Sequence, residues 1–296
     1  MAKNFTPLLS NTDWNEEWMR LQQVRQKADD ARHWDARAKS FGQKDAPTPY
    51  VKAFIERAGL QPFESVLDMG CGTGALAIPL ARLDHPVIAA DFSSGMLEVL
   101  QKRVDAAGLC NLAIKLMSWE DDWLEHGLSA GSVDVALASR SIATANLKES
   151  LLRLDKVARR RVCVTIALGA SPRIDERIIK AVGLQRCLGN DSQYAFNILV
   201  NEGITPEVSY IKSVRKESFA TCDEAHEYYS RMIFDSAQGL SKVDAAQVSS
   251  PLAAWLDDNL VANPLAGKVS EDGICEKALC LETPQITTWA FIAWDK

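Results

Sequence analysis

The chain has 296 residues, of which 47% are hydrophobic and 24% charged, an ordinary globular composition. Its formal net charge of -6 lacks the positive surplus that neutralises nucleic-acid phosphates, so no nucleic-acid partner is expected. A chain of this length buries a core large enough to fold without disulfide or metal staples. Its seven cysteines show no Cys-x-x-Cys spacing, so we expect reduced thiols and no metal site.

Targeting and membrane segments are not expected. The N-terminal residues lack the apolar stretch of a secretory signal. No apolar run in the sequence approaches the ~20 residues that cross a bilayer. We therefore predict a cytoplasmic protein that contacts no membrane.

The spacing of apolar residues differs between the first 60 residues and the region after them. Residues 1–60 carry apolar side chains at helical spacing, which predicts an N-terminal helical cap. From residue 61, short apolar runs alternate with helical patterns. Strands are predicted at 65–68, 86–90, 112–116, 133–138 and 161–167, and helices at 74–83, 94–107 and 147–157. This βαβα alternation predicts a parallel sheet with helices on both faces.

After residue 169 the pattern is looser. Helices are predicted at 174–182, 194–201 and 222–233, and strands at 208–214 and 286–294. Residues 217–280 predict a helical, lid-like insertion before the last strand. The chain is therefore divided into a cap at 1–60 and an α/β domain at 61–296, with the cap and the insertion at the carboxyl edge of the sheet.

The strongest chemical signal is the glycine-rich turn from Asp68 to Gly74, which reads Asp-Met-Gly-Cys-Gly-Thr-Gly between a strand and a helix. Glycines permit a tight turn and let a ligand approach the backbone, whose free N–H groups are expected at a helix N-terminus. Asp91 ends the next strand, 21 residues after Gly70. A carboxylate there can accept hydrogen bonds from both ribose hydroxyls of an adenosine.

Two cofactor classes fit this turn. The run Gly70-x-Gly72-x-x-Ala75 satisfies the dinucleotide fingerprint, which predicts a nicotinamide-dependent oxidoreductase. Against it, Asp68 precedes the first glycine by two residues, where a carboxylate is unfavourable beside a pyrophosphate and suits a cationic ligand. The compact Gly-x-Gly-x-Gly spacing is the second feature that separates the two interpretations.

Three segments, 66–74, 90–97 and 132–136, together resemble the class I S-adenosylmethionine-dependent methyltransferases. The resemblance implies a doubly wound, seven-stranded, mostly parallel, Rossmann-like sheet, with residues 286–294 as the antiparallel last strand. It also implies S-adenosylmethionine as the cofactor and in-line methyl transfer as the reaction. Such a displacement depends mainly on holding the two reactants close and aligned. An acid or base is needed only if the acceptor must lose a proton, and the sequence does not identify one. A non-catalytic protein that binds S-adenosylmethionine remains an alternative.

The resemblance also assigns roles to matched positions. Asp68 and the backbone of the glycine turn would face the methionine part of the cofactor, and Asp91 would hold the ribose. Ser118 stands where the family commonly has Asp, so Trp119 or Glu120 would contact the adenine. The predicted cofactor-binding residues are Asp68, Gly70, Cys71, Gly72, Asp91, Phe92, Met96, Ser118, Trp119, Glu120 and Ser139.

The acceptor is predicted to be a small molecule. An Asn-Pro-Pro-Tyr motif, typical of nucleic-acid amino-methyltransferases, is absent after the fourth strand, and no basic domain is appended. Arg140 follows that strand, at the edge where open α/β sheets bind ligands. It is a candidate to pair with a carboxylate or phosphate on the acceptor, the alternative being a structural ion pair. Four aromatic residues either wall the acceptor pocket or belong to the core: Trp14, Trp18, Trp34 and Tyr50.

Overall fold

The computed structural model describes residues 11–25, 31–38, 48–168, 174–184, 190–215, 217–236, 245–269 and 275–296. The helices are α1 Trp14–Arg25, α2 Ala31–Ala38, α3 Pro49–Ala58, α4 Ala77–Arg82, α5 Ser94–Ala107, α6 Leu147–Val157, α7 Glu176–Ala181, α8 Asp191–Asn201, α9 Cys222–Ser236 and α10 Ala245–Asn259. The strands are β1 Val66–Met69, β2 Val87–Asp91, β3 Leu112–Leu116, β4 Val133–Ser139, β5 Ala158–Ala167, β6 Glu207–Arg215, β7 Ser218–Phe219, β8 Leu260–Ala262, β9 Leu279–Leu281 and β10 Gln285–Asp295.

The main sheet has seven strands in the order β3-β2-β1-β4-β5-β10-β6. Strands β1 to β5 pair in parallel, whereas β10 lies antiparallel between β5 and β6. This arrangement confirms the predicted doubly wound, mostly parallel sheet and its antiparallel last strand. The chain leaves β1 toward β2 on one side and later enters β4 on the other, so the order reverses between β1 and β4. Ligands bind at such a switch point in open α/β folds.

The central strands of the sheet are buried on both faces, as their continuous apolar runs predict. All four residues of β1 are buried. Leu67 and Met69 belong to a core layer that includes residues of α6 and α8. Val66 faces the opposite layer, which contains residues of α3, α4 and α5. Successive strand residues thus point into different layers, which fixes the carboxyl ends of the strands as a rigid platform.

Helices α4 and α5 illustrate how local chemistry sets the element boundaries. Helix α5 spans the predicted range, begins after Ser93 Oγ accepts the N–H of Met96 at 3.1 Å, and ends at Gly108 with φ of 63°. Helix α4 begins at Ala77, three residues later than predicted. The reason is Gly74, whose φ of 86° is not compatible with a right-handed helix.

The segment at 217–280 differs from the helical prediction. It contains α9 and α10, but also the strands β7, β8 and β9, which form a small antiparallel sheet in the order β7-β9-β8. These strands have only two or three residues each, too few to show a period in the sequence. A third core cluster joins α7, α9 and α10. Across the described ranges, no helix has both the length and the hydropathy of a membrane span.

Candidate cofactor and acceptor site

The glycine turn after β1 is held by its own backbone hydrogen bonds. The N–H groups of Gly70 and Cys71 donate to the carbonyl oxygen of Ala90 at 2.7 and 3.0 Å, and the N–H of Gly74 donates to Cys71 at 3.0 Å. Gly70, Gly72 and Gly74 all have positive φ, a conformation that glycine adopts without steric cost. The expectation of free N–H groups at a helix N-terminus is therefore wrong for Gly70 and Cys71, whose N–H groups join the turn to β2.

Gly70 also connects the turn to the end of β4. A Cβ atom at Gly70 would lie 2.3 Å from the Cβ of Ser141, closer than real side chains approach. Ser141 Oγ donates a hydrogen bond to the carbonyl oxygen of Met69 at 2.6 Å. The switch point between β1 and β4 is thus closed by one short hydrogen bond and one position where only glycine fits.

Asp91 forms the second part of the turn. Its Oδ2 accepts the N–H of Gly72 at 2.8 Å and its Oδ1 accepts the N–H of Ser93 at 2.9 Å. Burial raises the pKa of this carboxyl, and the backbone N–H donors oppose that shift. Each carboxylate oxygen can accept a further hydrogen bond. The carboxylate therefore has acceptor capacity for two hydroxyl donors of a ligand.

Asp68 is a buried carboxyl with an incomplete set of partners. Its side chain is 2% exposed, and its Oδ2 has no hydrogen-bond partner among the described residues. The Asp68 carboxyl does accept one hydrogen bond, from the backbone N–H of Ala77. Burial, followed by the charge of Asp91, raises the pKa of Asp68 to about 7. An unpaired buried carboxyl beside a second carboxyl suits a cationic donor, such as the ammonium group of S-adenosylmethionine.

Cys71 lies within the turn and is buried. Burial, together with the charges of Asp68 and Asp91, raises the pKa of its thiol well above the ordinary value. The thiolate is the reactive form of cysteine. Cys71 is therefore a neutral side chain that fills space under the turn.

Two of the predicted cofactor-binding residues, Phe92 and Met96, lie on either side of the first residue of α5. Phe92 is half-buried after β2, whereas Met96 is 2% exposed and lies within the protein interior. Their positions next to Asp91 are compatible with packing against a ligand base. Met96 also has a structural function, because a buried methionine fills core space whether or not a ligand is bound.

The loop after β3 reaches the same edge, since the N–H of Met117 donates to the carbonyl oxygen of Asp91 at 3.0 Å. Ser118 is engaged locally: its Oγ accepts the N–H of Glu120 at 3.1 Å. Trp119 is buried against the Trp123 ring, with centroids 5.7 Å apart, and Glu120 is exposed. The adenine contact of this loop remains a prediction.

Sequence reasoning missed an acidic residue in this loop. Asp121 Oδ2 accepts the N–H of Ser118 at 2.8 Å, so a carboxylate does lie at the end of β3, three residues beyond the expected place. The signal was the Ser-x-x-Asp spacing, in which the carboxylate reaches back to the serine N–H as in a capping box.

The N-terminal helices supply a second missed residue, Asp35 in α2. Its Oδ1 accepts hydrogen bonds from Ser93 Oγ at 2.6 Å and from the N–H of Gly95 at 2.9 Å, and these bonds lower the pKa of Asp35. A Cβ atom at Gly95 would lie 3.0 Å from the Asp35 Cα, so glycine permits the close approach. Asp35 therefore fastens α2 to the beginning of α5, two residues after Asp91.

Tyr50 in α3 reaches the ends of β4 and β5. Its hydroxyl hydrogen-bonds to Ser139 Oγ at 2.9 Å and to Thr165 Oγ1 at 2.7 Å. Ser139, a predicted cofactor neighbour, is thus part of a hydroxyl network. The Arg140 guanidinium carbon lies 3.4 Å from the centroid of the Tyr50 ring and 4.9 Å from that of Trp289. Within the described ranges, the guanidinium has no ion pair, so the structural ion-pair alternative has no support there.

Two other aromatic candidates belong to the core. Trp18 is fully buried and its indole N–H donates to the carbonyl oxygen of Thr144 at 2.8 Å. Trp14 packs edge-on against Tyr194 with ring centroids 6.2 Å apart. Trp34 is half-buried in α2, one position before Asp35. Of the four aromatic residues, Tyr50 therefore lies at the strand ends where an acceptor is expected.

Comparisons with known proteins agree with this geometry. Residues 66–160 match the family model of a methyltransferase domain. An uncharacterized protein of Haemophilus influenzae is 31% identical over 182 residues, which cover 61% of this chain and 66% of that protein. The uncharacterized methyltransferase YodH of Bacillus subtilis is 34% identical over 109 residues, 36% of this chain and 44% of YodH.

A solved structure shares the fold. A candidate methyltransferase from Bacillus halodurans aligns over 83% of this chain and 98% of its own length, with a TM-score of 0.51 and 13% identity. The fold, the glycine turn and the matched domain together define an S-adenosylmethionine-dependent methyltransferase domain. Residues 66–160 are similar to the methyltransferase domain of this family, and the chain spans 66% and 44% of the length of the two relatives above.

Proposed function

We propose that the protein transfers a methyl group from S-adenosylmethionine to a small-molecule acceptor. The observation that carries this proposal is the pair of buried carboxyls, Asp68 and Asp91, on either side of the glycine turn, with Asp68 Oδ2 unpartnered among the described residues. A bound sulfonium cofactor supplies an activated methyl carbon. The residues of this chain would hold it by its ammonium group at Asp68 and its ribose hydroxyls at Asp91.

The same carboxyls argue against a dinucleotide. A pyrophosphate is normally bound by free N–H groups at a helix N-terminus. Here the N–H groups of Gly70 and Cys71 are bonded to Ala90, and that of Gly72 to Asp91. Two pyrophosphate charges beside two buried carboxyls would also be repelled, because neither aspartate has an arginine or lysine partner among the described residues. This supports the methyl-transfer proposal over the oxidoreductase alternative.

The position of the N-terminal helices supports a small acceptor. Asp35 of α2 contacts the residues after β2, and Tyr50 of α3 contacts the ends of β4 and β5. Both helices thus lie over the carboxyl edge of the sheet, where they would hinder a large substrate from reaching the ends of the strands. The net charge of -6 likewise favours neither nucleic acid nor an anionic membrane surface. The predicted cytoplasmic location is part of the same proposal.

Calorimetric titration with S-adenosylmethionine, S-adenosylhomocysteine and NADH tests the cofactor. We expect micromolar dissociation constants for the first two and no binding of NADH. The variant Asp91→Asn should weaken S-adenosylhomocysteine at least about tenfold, because a buried hydrogen-bonding charge is lost. Asp105→Asn is the matched control, since Asp105 is an exposed residue of α5 whose side chain accepts a hydrogen bond from Gln101 at 2.7 Å.

The outcomes separate the three candidate functions. Binding of NADH alone would contradict the proposal and support the dinucleotide interpretation. Binding of S-adenosylmethionine is followed by incubation with pooled small acceptors, in which formation of S-adenosylhomocysteine reports transfer. Cofactor binding with no transfer to small-molecule, peptide or nucleic-acid pools would instead identify a non-catalytic binding protein. Thermal unfolding of each variant shows that it is folded.

A further inference from the structure

Arg140 has a strained backbone at the switch point of the sheet. Its φ of 63° lies in the left-handed region, which few residues other than glycine, asparagine and aspartate adopt. The backbone is held there because the Arg140 N–H donates to Thr165 Oγ1 at 3.1 Å and the next residue, Ser141, donates to Met69. Strain that is held by surrounding contacts is common where a side chain must be aimed at a ligand.

The guanidinium rests on a fixed aromatic platform. Its carbon lies 3.4 Å from the Tyr50 ring centroid and 4.9 Å from the Trp289 centroid. The two rings pack edge to face, 6.1 Å apart, and both are buried. The Tyr50 hydroxyl is held by Ser139 and Thr165. The platform therefore restrains the arginine without using its N–H donors.

A stacked guanidinium keeps its donors in the plane of the group. The five N–H groups of arginine form a rigid fork that matches the two oxygens of a carboxylate or phosphate. The side chain of Arg140 is exposed, and no hydrogen bond or ion pair engages these donors within the described residues. Among the described residues, Arg160 and Arg177 differ from Arg140 in this respect, because Arg160 pairs with Glu64 and Arg177 with Asp175.

We propose that Arg140 binds an oxyanion, a carboxylate or a phosphate group, on the methyl acceptor, an assignment that rests on the proposed methyl-transfer function. The position fits this function because Ser141, the next residue, contacts Gly70 of the glycine turn. Arg140 thus lies between the end of β1, where the cofactor is expected, and the end of β5. An acceptor fixed through its oxyanion at Arg140 would lie at the same edge as the methyl donor.

The test follows the Arg140 side chain directly by NMR. Protein saturated with S-adenosylhomocysteine is titrated with inorganic phosphate, with acetate and with acetamide, a neutral analogue of acetate. The Nε–Hε resonance of Arg140, assigned with the variant Arg140→Lys, should move saturably with phosphate and acetate but not with acetamide. The amide resonance of Ser141 is the second reporter and remains observable in Arg140 variants.

Variants define the strength of the interaction. Arg140→Gln should weaken phosphate binding at Ser141 at least about tenfold, because charge-assisted hydrogen bonds are lost. Arg140→Lys should restore little of the phosphate binding, since an ammonium group neither forms a bidentate hydrogen-bonded pair nor stacks on aromatic rings as a guanidinium does. Arg20→Gln is the matched control, because Arg20 is an exposed arginine of α1 whose ion pair is with Glu16. It should bind phosphate as the natural protein does.

Failure of S-adenosylhomocysteine to bind would contradict the proposed function. Binding of S-adenosylhomocysteine with no response at Arg140 to either anion would overturn only the present proposal. An equal response to acetate and acetamide would also overturn it, because the interaction would not depend on charge. Unchanged phosphate binding in Arg140→Gln has the same consequence.

Discussion

The two halves of the candidate site differ in how far apart in the sequence their contacting residues lie. The cofactor half comprises Asp68, the glycine turn Gly70–Gly72 and Asp91, and its contacts join residues such as Gly72 and Asp91 that are 19 positions apart. The acceptor half comprises Tyr50, Arg140, Thr165 and Trp289. Its contacts span the chain, since Tyr50 and Thr165 are 115 positions apart.

This difference shows what each half depends on. The cofactor half needs one βαβ unit, in which a parallel register brings consecutive strand ends together. The acceptor half needs the N-terminal helices, the central strands and the antiparallel last strand to be in place at once. We expect changes in the cofactor half to act mainly through local geometry and charge, and changes in the acceptor half to act through tertiary placement.

The largest effect is expected at Gly70, where the cofactor half packs against Ser141, the residue after Arg140. The substitution Gly70→Ala places a Cβ atom 2.3 Å from the Cβ of Ser141 and imposes a φ of 74° on alanine. We expect a loss of about 3–5 kcal/mol in the free energy of unfolding, from overpacking and left-handed strain together. Urea denaturation monitored by circular dichroism measures it.

Two further variants separate overpacking from strain. Gly108→Ala has a similar φ of 63° but no atom within 4 Å of the added Cβ, so it should cost only about 1–2 kcal/mol. Combining Gly70→Ala with Ser141→Gly removes the steric overlap and should recover part of the loss. If Gly70→Ala and Gly108→Ala cost the same, the close contact between Gly70 and Ser141 is not a constraint on stability.

The next effect concerns the charge of Asp68 in the ligand-free protein. The folded protein retains the Asp68 proton up to a pKa of about 7, whereas the ordinary value is 3.8. Between these pH values the folded state binds more protons, so stability falls as the pH rises. Asp68→Asn removes this penalty and should raise stability at pH 8 by on the order of 4 kcal/mol, with little change near pH 4. Thermal unfolding across this pH range tests it.

Asp134 at the opposite edge of the sheet provides the control of opposite sign. Hydrogen bonds from Arg159 and Ser65 hold the pKa of Asp134 well below its ordinary value. Its ionised form stabilises the folded protein at neutral pH, and this contribution is lost as the pH falls. Asp134→Asn should therefore lower stability at pH 8. Higher stability of Asp68→Asn at pH 8, together with weaker S-adenosylhomocysteine binding, would show that the unpaired carboxyl serves the ligand at the expense of the fold.

Much of the fold could be predicted because strands and long helices carry their own periodicity. The range of α5 and the parallel order of β1 to β5 follow from apolar runs and from Gly108, which ends the helix. The strands β7, β8 and β9 could not be predicted, since two or three residues show no alternation and their pairing joins positions far apart. Helix α4 was predicted too long because a left-handed Gly74 cannot be identified from composition.

The candidate site divides in the same way. Asp68 and Asp91 could be placed from a turn motif and a strand length, whereas the hydrogen bonds that occupy the N–H groups of Gly70 and Cys71 could not. Arg140 was identified by its position after β4, but its stacking on Tyr50 and Trp289 depends on α3 and β10. Tertiary contacts of this kind leave no local sequence pattern.

The smallest effect is expected for Asp35, which joins the N-terminal cap to the cofactor half. Asp35→Ala removes the acceptor of Ser93 Oγ and of the Gly95 N–H, so α2 loses the two hydrogen bonds that join it to the residues after Asp91. We expect S-adenosylhomocysteine binding to weaken on the order of threefold. Asp13→Ala is the matched control, because Asp13 accepts the N–H of Glu16 at 2.8 Å at the start of α1. Calorimetry should show weaker binding for Asp35→Ala alone; an equal change in both variants would mean that α2 does not position the cofactor half.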